Sequence, residues 1–570
     1  MRKIYYLLIL SAFVLLPVWN LFPNATEENH KPDSARDSLK ISTSAQIDSM
    51  FSGFVYGEMP GYQTAIIKDG EIVYSRTFGY ANLDEGISIT KGTIFHVASV
   101  SKEFTAFAVW LLAQQGKLNI DDDIRKYLDY LPDFGKKITI RQLINHTSGL
   151  RDQWELLQMS GVRLDDVITQ QHIIKLLSRQ RELNFEPGAE FLYSNSGYTL
   201  LAEIVSKVSG QDFTEFTKEN IFIPLGMKNT NFHRDHEEIV KNRALSYYKD
   251  EKNEWKYAVL SYANVGATSL HTTAEDLCLW INNFFTGKAG GKENINGMYE
   301  RGILNSGDTV DYAFGLSAGK YKGHKLIQHS GADAGFRTQV AWFPDDNIGI
   351  VVLGNMDGMT PFTIYTNIAD LLLSGSEDTK PVEKKEIIPY NMSEPKLKTF
   401  EGVYYSVSGT IVELKTADGK LSANFGESIS YELTPLSENK FHFKTAGIDF
   451  EFEVNNSAVK GFSYSRGKQR KSFKKIESVN FSDFDLKQYA GRYYSEELGA
   501  FYDISATADG LNAMHIRNDD VQLKPVGKDL FSGKEWWLSV MEFYRDGNDK
   551  VAGFRITGSR ARGLKFERVK

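Results

Sequence analysis

The chain has 570 residues, of which 42% are hydrophobic and 24% are charged. These proportions are ordinary for a globular protein, and the length indicates several domains. The 66 basic and 73 acidic residues give a net charge of -7 without a long run of one sign, which argues against a nucleic-acid partner. Cys278 is the only cysteine, which excludes an internal disulfide and a cysteine-based metal site.

The N-terminus has the layout of a secretory signal. Two basic residues precede an apolar run from Ile4 to Trp19, and polar residues follow from Asn24. We therefore predict export to the periplasm or the extracellular space. The run is long for a cleaved signal and short for a free-standing span, so residues 1–25 are either a signal peptide or an anchor in the inner membrane. A linker is predicted over 26–40.

The pattern over residues 41–375 predicts one α+β domain with an antiparallel sheet flanked by helices. In chain order, its predicted elements are the helix Ala45–Val55, the hairpin strands Tyr62–Lys68 and Glu71–Arg76, the helices Phe104–Gln115 and Thr199–Val208, the strands Lys325–His329, Thr338–Phe343 and Ile348–Leu353, and the helix Phe362–Leu373. Strands at both ends of the segment predict a sheet that distant parts of the chain complete.

The remaining residues predict two copies of one all-β unit. Leu397–Tyr405 resembles Leu486–Tyr494, and Val459–Phe462 resembles Val551–Phe554. Two matched landmarks at a similar separation indicate an internal repeat. We predict a linker over 376–389 and two small, barrel-like β domains, over 390–478 and 479–570.

Ser99-Val100-Ser101-Lys102 is a Ser-x-x-Lys motif. Residues three apart on a helix share a face, so the lysine can reach the serine hydroxyl. A lysine that is buried loses part of its preference for the charged form and can then act as a base. The spacing alone is weak, because it recurs at Ser246/Lys249, but only the Ser99 copy opens a strongly apolar helix.

Two further motifs lie downstream. Tyr193-Ser194-Asn195 stands between a Pro-Gly turn and a helix predicted to begin near Tyr198. A tyrosine near a lysine ammonium has its phenolate form favoured and can accept the serine proton. His329-Ser330-Gly331 ends a predicted strand, where the glycine leaves room for a substrate backbone and the next N–H can donate to an oxyanion.

These three motifs in this order resemble the penicillin-recognising serine hydrolases, which include class C β-lactamases, DD-peptidases, D-aminopeptidases and related esterases. The stretches Phe95–Ala98, Leu143–Leu150 and Thr272–Leu277 agree with the resemblance, which covers about residues 45–375. It implies the β-lactamase/DD-peptidase fold for this region. The tandem β units make D-aminopeptidase, with its two lipocalin-like barrels, the most similar in architecture.

The resemblance implies a role for each motif residue. Ser99 would be the acyl-forming nucleophile, Lys102 its electrostatic partner and co-base, and Tyr193 the principal general base. The implied substrate-binding residues are Asn195, His329, Ser330 and Gly331, and the implied oxyanion hole consists of the backbone N–H groups of Ser99 and Ala332. The implied substrate is a small peptide, amide or ester. No metal and no organic cofactor are implied, and the oligomeric state stays open.

His329 departs from the pattern, because β-lactamases and carboxypeptidases of this group usually have a lysine there. A histidine with an ordinary pKa of about 6.5 is largely neutral at pH 7, so a cation that binds a substrate carboxylate is missing at this position. Arg337 is one alternative source of that charge, and a structural arginine is the other interpretation. The histidine favours D-aminopeptidase or esterase chemistry over strong β-lactamase activity.

Two functions other than hydrolysis stay open at this point. One is a non-hydrolytic sensor that binds penicillin or a peptidoglycan fragment. A third interpretation makes the β units lipocalin-like carriers, with Tyr404, Tyr405, Trp536 and Trp537 lining a cavity, although aromatic residues at alternating positions are typical of a filled core. Ser99, Lys102 and Tyr193 together favour the hydrolase, since a pure binder has no need of all three.

Overall fold

The structure is a computed structural model. It describes residues 39–54, 58–373, 387–425, 430–456, 458–466, 469–477 and 485–569. The predicted signal or anchor segment and most of both predicted linkers lie outside the described residues. Across the described ranges, no helix has the length and apolar character needed to cross a membrane.

The N-terminal domain is built on a six-stranded antiparallel sheet that both ends of the domain complete, as predicted. In spatial order its strands are Ser317–Tyr321, His324–Asp333, Phe336–Phe343, Ile348–Gly354, Tyr62–Lys68 and Glu71–Phe78. Tyr62 pairs with Gly354 on one side and with Phe78 on the other. The predicted two-residue turn forms because Asp69 and Gly70 both adopt positive φ, 49° and 86°.

Helices cover both faces of this sheet, because successive strand residues point to opposite sides and both sides are apolar. Ile66 belongs to the core beneath the helices Ile41–Ser49 and Pro361–Leu372, whereas Ile67 belongs to the larger core on the other face. The remaining α-helices of the domain are Ser101–Gln114, Ile140–Ile144, Gln153–Met159, Gln170–Leu177, Asn195–Ser209, Phe213–Thr217, Ile223–Leu225, Ala274–Thr286 and Lys292–Gly297. Its short strands are Tyr80–Asn82, Ile87–Ser88, Phe95–His96, Ile168–Thr169, Asn231–Phe232, Tyr247–Lys249, Trp255–Tyr257, Tyr262–Ala263 and Leu270–Thr272.

Two closed eight-stranded β-barrels follow, which confirms the predicted repeat. The first barrel is preceded by the helix Glu394–Lys398 and consists of Gly402–Tyr405, Ile411–Ala417, Lys420–Asn424, Tyr431–Pro435, Lys440–Phe443, Ile448–Asn455, Ala458–Arg466 and Gln469–Lys475. The second consists of Gly491–Ser495, Ala500–Ala506, Leu511–Met514, Val521–Gly527, Leu530–Glu535, Leu538–Arg545, Val551–Thr557 and Leu564–Arg568. Aromatic side chains fill the first interior, where Phe462 stacks on Phe450 and Phe473 at 4.6 and 4.5 Å between ring centroids, so these rings form a core.

The two barrels relate differently to the N-terminal domain. The apolar interior of the first barrel is a separate cluster, whereas that of the second is continuous with the large core of the N-terminal domain. A salt bridge of 2.7 Å between Arg151 and Glu497 is almost completely buried at this second interface. The Tyr502 hydroxyl also donates to the carbonyl of Met159 at 3.1 Å. The second barrel therefore packs directly against the N-terminal domain and shares its core.

Candidate active site

Ser99 lies in the 3₁₀ turn Ala98–Val100, which leads directly into the helix Ser101–Gln114. The helix begins three residues before the predicted start at Phe104. The turn packs against the strand His324–Asp333, and a Cβ at position 331 would lie 2.3 Å from the Val97 carbonyl oxygen. Gly331 is therefore required for the approach of the serine turn, a reason different from the predicted space for a substrate backbone.

Lys102 is completely buried below Ser99. Its Nζ donates to the Ser99 Oγ at 3.0 Å, to the Asn195 Oδ1 at 2.9 Å and to the Ala267 carbonyl at 2.7 Å. The Ser-x-x-Lys prediction of a direct contact is thus realised. Two of the three partners are fixed acceptors, so the amine is held towards the serine hydroxyl.

Burial lowers the pKa of Lys102 to about 7, although the carboxylates of Asp333 and Asp152 oppose the change. The positive charge of Arg560 lowers this pKa further. A neutral amine has two N–H groups, which suffice for Asn195 and Ala267, and one lone pair. The lone pair is then free to accept the proton of Ser99.

Tyr193 lies beside both of these groups. The Lys102 Nζ and the Arg560 guanidinium carbon are each 5.0 Å from the centre of its ring. Burial raises the pKa of the Tyr193 phenol, and this outweighs the opposing effects of Ser99 and Arg560. The resting side chain is therefore the protonated phenol, which differs from the phenolate expected from the sequence, because loss of water costs the anion more than nearby cations return.

Asn195 is the first residue of the helix Asn195–Ser209, so this helix begins earlier than predicted. The carboxylate of Asp152 accepts from the Asn195 backbone N–H at 2.7 Å and from its Nδ2 at 2.8 Å. Both ends of the Asn195 amide are therefore engaged by the protein, one by Asp152 and the other by Lys102. This arrangement positions the lysine, and the substrate-binding role that the resemblance implies for Asn195 stays a prediction.

His329 is buried next to Tyr193, with 6.4 Å between the ring centroids. Its Nδ1 donates to the Ser330 carbonyl at 2.6 Å, and its Nε2 accepts from the Tyr312 hydroxyl at 2.9 Å. Burial lowers the pKa of His329 to about 3, and Lys102 adds to this, so the imidazole is neutral. Next along the strand, Ser330 and Ala332 are exposed.

Arg337 does not supply the cation missing at position 329. Its guanidinium donates to the carbonyls of Ala334 and Phe336 at 2.8 and 2.7 Å and pairs with Asp357. This arginine stabilises its own turn, which is the structural interpretation. Within the described residues, no group of three or more histidine, cysteine, aspartate or glutamate side chains is arranged to hold a metal ion.

A loop of the second barrel, residues 558–563, reaches the site and is here called the barrel loop. Arg560 of this loop lies over the Tyr193 ring, and its carbonyl accepts from the Asp152 N–H at 3.2 Å and from the Asn184 Nδ2 at 2.8 Å. Glu155 accepts from three donors of the loop: the Ser559 hydroxyl at 2.5 Å, the Arg560 N–H at 2.7 Å and the Ala561 N–H at 2.6 Å.

Sequence reasoning missed Asp152, Glu155 and Arg560. The repeat gave little signal for Arg560. In the first barrel the last hairpin stays paired up to Arg466 and Gln469, whereas in the second the pairing stops at Ile556 and Leu564. The paired residues Phe462 and Phe473 are 11 positions apart and their counterparts Phe554 and Phe566 are 12 apart, so the two copies differ here by one residue. The longer unpaired loop of the second copy is therefore a feature of the structure that the sequence does not announce.

The overall match to known proteins agrees with this geometry. Residues 47–374 match the family described as Beta-lactamase. The chain belongs to the Beta-lactamase family. The resemblance inferred from the three motifs is thereby confirmed, and the protein is a serine hydrolase of the β-lactamase, penicillin-binding-protein and D-aminopeptidase group.

The chain is similar to proteins named as penicillin-binding proteins and to proteins named as D-aminopeptidases. Penicillin-binding protein 4* of Bacillus subtilis is 28% identical over 413 residues, which cover 69% of this chain and 90% of that protein. D-aminopeptidase of Brucella anthropi is 26% identical over 537 residues, 90% of this chain and 95% of that protein. The octameric penicillin-binding protein homologue from Pyrococcus abyssi has a similar structure, with a TM-score of 0.53 and 25% identity over 75% of this chain and 99% of that one.

Proposed function

We propose that this protein is an exported serine hydrolase that cleaves a small amide or ester, such as a D-amino-acid-containing peptide, through an acyl intermediate on Ser99. One observation carries the proposal. The buried Lys102 amine contacts the Ser99 hydroxyl and is held there by two further acceptors. A pKa of about 7 makes this amine a competent base near neutral pH.

In the acylation step, the Ser99 hydroxyl gives its proton to the neutral Lys102 amine while Oγ attacks the substrate carbonyl carbon. The oxyanion that forms is stabilised by the backbone N–H groups of Ser99 and Ala332. When the intermediate collapses, the bond from carbonyl carbon to leaving nitrogen or oxygen breaks. The leaving group takes the phenolic proton of Tyr193, and Lys102 returns its proton to Tyr193.

In the deacylation step, a water molecule gives a proton to Lys102 and attacks the acyl carbon. Collapse of the second intermediate breaks the bond to Ser99 Oγ, Lys102 returns its proton to this oxygen, and the carboxylic acid leaves. This scheme makes Lys102 the principal base and Tyr193 the proton donor, reversing the roles expected from the sequence. The raised pKa of Tyr193 supports the exchange of roles.

The substrate class rests on relatives that match most of the chain. Proteins named D-aminopeptidase match both the N-terminal domain and the two barrels, since the alignment covers 90% of this chain. Both ring nitrogens of His329 are hydrogen-bonded and its imidazole is neutral, so this strand position lacks the cation that is usual in the group. The match to proteins named D-aminopeptidase favours hydrolysis of a small peptide, amide or ester.

The proposal is tested by intact-protein mass spectrometry of wild type and Ser99→Ala after exposure to a fluorophosphonate probe. We expect one adduct on wild type and none on the variant, because only an activated serine reacts. Ser246→Ala removes the serine of the second Ser-x-x-Lys spacing and serves as the control that keeps labelling.

A parallel exposure to a penicillin separates the alternatives. A slowly lost penicillin adduct on Ser99, without hydrolysis of D-amino-acid amides or esters, would favour the non-hydrolytic binding protein. Absence of any fluorophosphonate adduct on folded wild type would overturn the hydrolase proposal. Probe labelling restricted to the exported fraction of expressing cells tests the predicted localisation.

A further inference from the structure

Arg560 differs from the other arginines that the second barrel presents to the N-terminal domain. Arg517, Arg555 and Arg562 each form an ion pair across the interface, with Asp166, Glu182 and Glu190. No ion pair or side-chain hydrogen bond joins the Arg560 guanidinium to another residue in the ranges that the structure describes. It is only partly buried and lies over the Tyr193 ring.

The backbone beneath Arg560 is fixed. Three donors of the barrel loop bind Glu155, and the Arg560 carbonyl accepts from Asp152 and Asn184. The neighbouring carboxylates cannot easily turn towards the guanidinium. Asp152 already accepts from the Asn195 and Trp154 backbone N–H groups, and Glu155 is held by the loop itself. The loop therefore holds the Arg560 guanidinium beside Tyr193 without an ion-pair partner in the ranges that the structure describes.

Of the side chains described at the site, the Arg560 guanidinium is the one that can bind an anion. The imidazole of His329 is neutral, and Lys102 is turned towards three protein acceptors. A guanidinium presents a planar fork that matches a carboxylate with two parallel hydrogen bonds. We propose that Arg560 binds the carboxylate of the substrate, so that the enzyme acts on peptides or amides that carry a free carboxylate close to the scissile bond.

This inference rests on the proposed function and specifies its substrate class. The positive charge that would bind a carboxylate is missing at position 329 of the sheet, and Arg560 of the barrel loop would supply it instead. Sequence reasoning sought that charge on Arg337, which is nearby in the chain but engaged elsewhere. The carboxylate comes either from the C-terminus of a peptide or from an acidic side chain, and the experiment separates the two.

The test compares kcat/KM for D-Ala-D-Ala and for the same dipeptide with a C-terminal amide. We expect wild type to prefer the free carboxylate by about 10- to 100-fold, the range of a charge-assisted hydrogen-bonded pair. Arg560→Gln should remove this preference by lowering the rate for the carboxylate substrate only. Arg560→Lys should keep part of it. Arg492→Gln, another arginine on the second barrel with an exposed side chain, should change neither rate.

Each rate is taken on the plateau of its own pH profile, because loss of Arg560 also raises the pKa of Lys102. A second pair, N-acetyl-D-Asp amide and N-acetyl-D-Asn amide, tests the acidic side chain as the source. If Arg560→Gln affects the acid and amide substrates of both pairs equally, the inference is overturned while the hydrolase proposal stands.

A binding readout covers the case in which wild type cleaves none of these compounds. Protection of Ser99 from the fluorophosphonate probe is then measured with each compound. Stronger protection by a carboxylate in wild type, lost in Arg560→Gln, supports the inference. Equal protection by acid and amide overturns it. If Ser99 in folded wild type is not labelled at all, the proposed function fails and the inference fails with it.

Discussion

Lys102 shows how much of the chemistry depends on the surroundings of one side chain. The same Ser-x-x-Lys spacing at Ser246 and Lys249 ends in a lysine that is exposed to solvent. Burial, and not spacing, gives Lys102 its lowered pKa. We therefore expect the protonation state of the Lys102 amine to control the rate of hydrolysis.

The first prediction concerns pH. Because the pKa of Lys102 lies near 7, the amine is protonated below this pH and neutral above it, so kcat/KM should rise with pH through about 7. Lys102→Arg keeps a protonated side chain and should lower kcat by about 100-fold or more. The pH profile is measured with an uncharged ester. Lys249→Arg is the matched control, and an unchanged profile in Lys102→Arg would contradict the assignment.

The second prediction concerns Glu103, the neighbour of Lys102. Burial raises the pKa of its carboxyl group to about 8, and one oxygen accepts from the Trp280 Nε1 at 2.6 Å. The folded state therefore keeps a proton that the unfolded state releases above the ordinary pKa of about 4.5. The free energy of unfolding should fall as pH rises from about 4.5 to about 8.

Glu103→Gln keeps an acceptor for Trp280 and removes the ionisation. Urea unfolding at several pH values should show a flatter stability profile for this variant. A slope identical to that of wild type would show that Glu103 does not titrate in this range.

The motifs show why some elements were predictable from the sequence and others were not. Ser99, Lys102 and Tyr193 could be found because each belongs to a short motif at the edge of a strongly apolar helix. Asp152, Glu155 and Arg560 belong to no such motif. Their roles arise where a loop of the second barrel meets the N-terminal domain, and residues so distant in the chain give no local pattern. The repeat itself was visible, since both copies share the same core spacing.

At the element scale, Glu155 should control the placement of the barrel loop. Glu155→Gln replaces one carboxylate oxygen by an NH₂ group, so the Ala561 N–H would face a donor. We expect faster amide hydrogen exchange in residues 558–563 and a loss of the selectivity attributed to Arg560, with little effect on hydrolysis of an uncharged ester. The measurement is made at pH 9, because the pKa of Glu155 is raised to about 7.

Glu300→Gln is the matched control, since Glu300 forms an exposed pair with Arg141 away from the loop. Unchanged exchange in the loop of Glu155→Gln would contradict the anchoring role. Loss of selectivity without a change in exchange would indicate an electrostatic effect of the carboxylate alone.

At the scale of the whole molecule, the second barrel and the N-terminal domain share one core and a buried ion pair. Arg151→Ala would leave the carboxylate of Glu497 buried without its partner. Removing one partner of such a pair typically costs about 3–5 kcal/mol. We therefore expect a clear fall in Tm, measured by calorimetry.

Arg517→Ala removes an arginine from the same interface, but its pair with Asp166 is largely exposed. Exposed pairs contribute about 0–1 kcal/mol, so Tm should change little. Equal falls in Tm for the two variants would contradict the distinction between the buried pair and the exposed one.

The position of the barrel loop in the chain has a consequence for biosynthesis. Ser99, Lys102 and Tyr193 are translated early, whereas Arg560 follows the whole N-terminal domain and the first barrel. The loop joins the last two strands of the second barrel, Val551–Thr557 and Leu564–Arg568, so it is among the last segments to be translated. A nascent chain would thus hold its nucleophile well before it could select a carboxylate substrate, and selectivity would be the last property that the growing enzyme acquires.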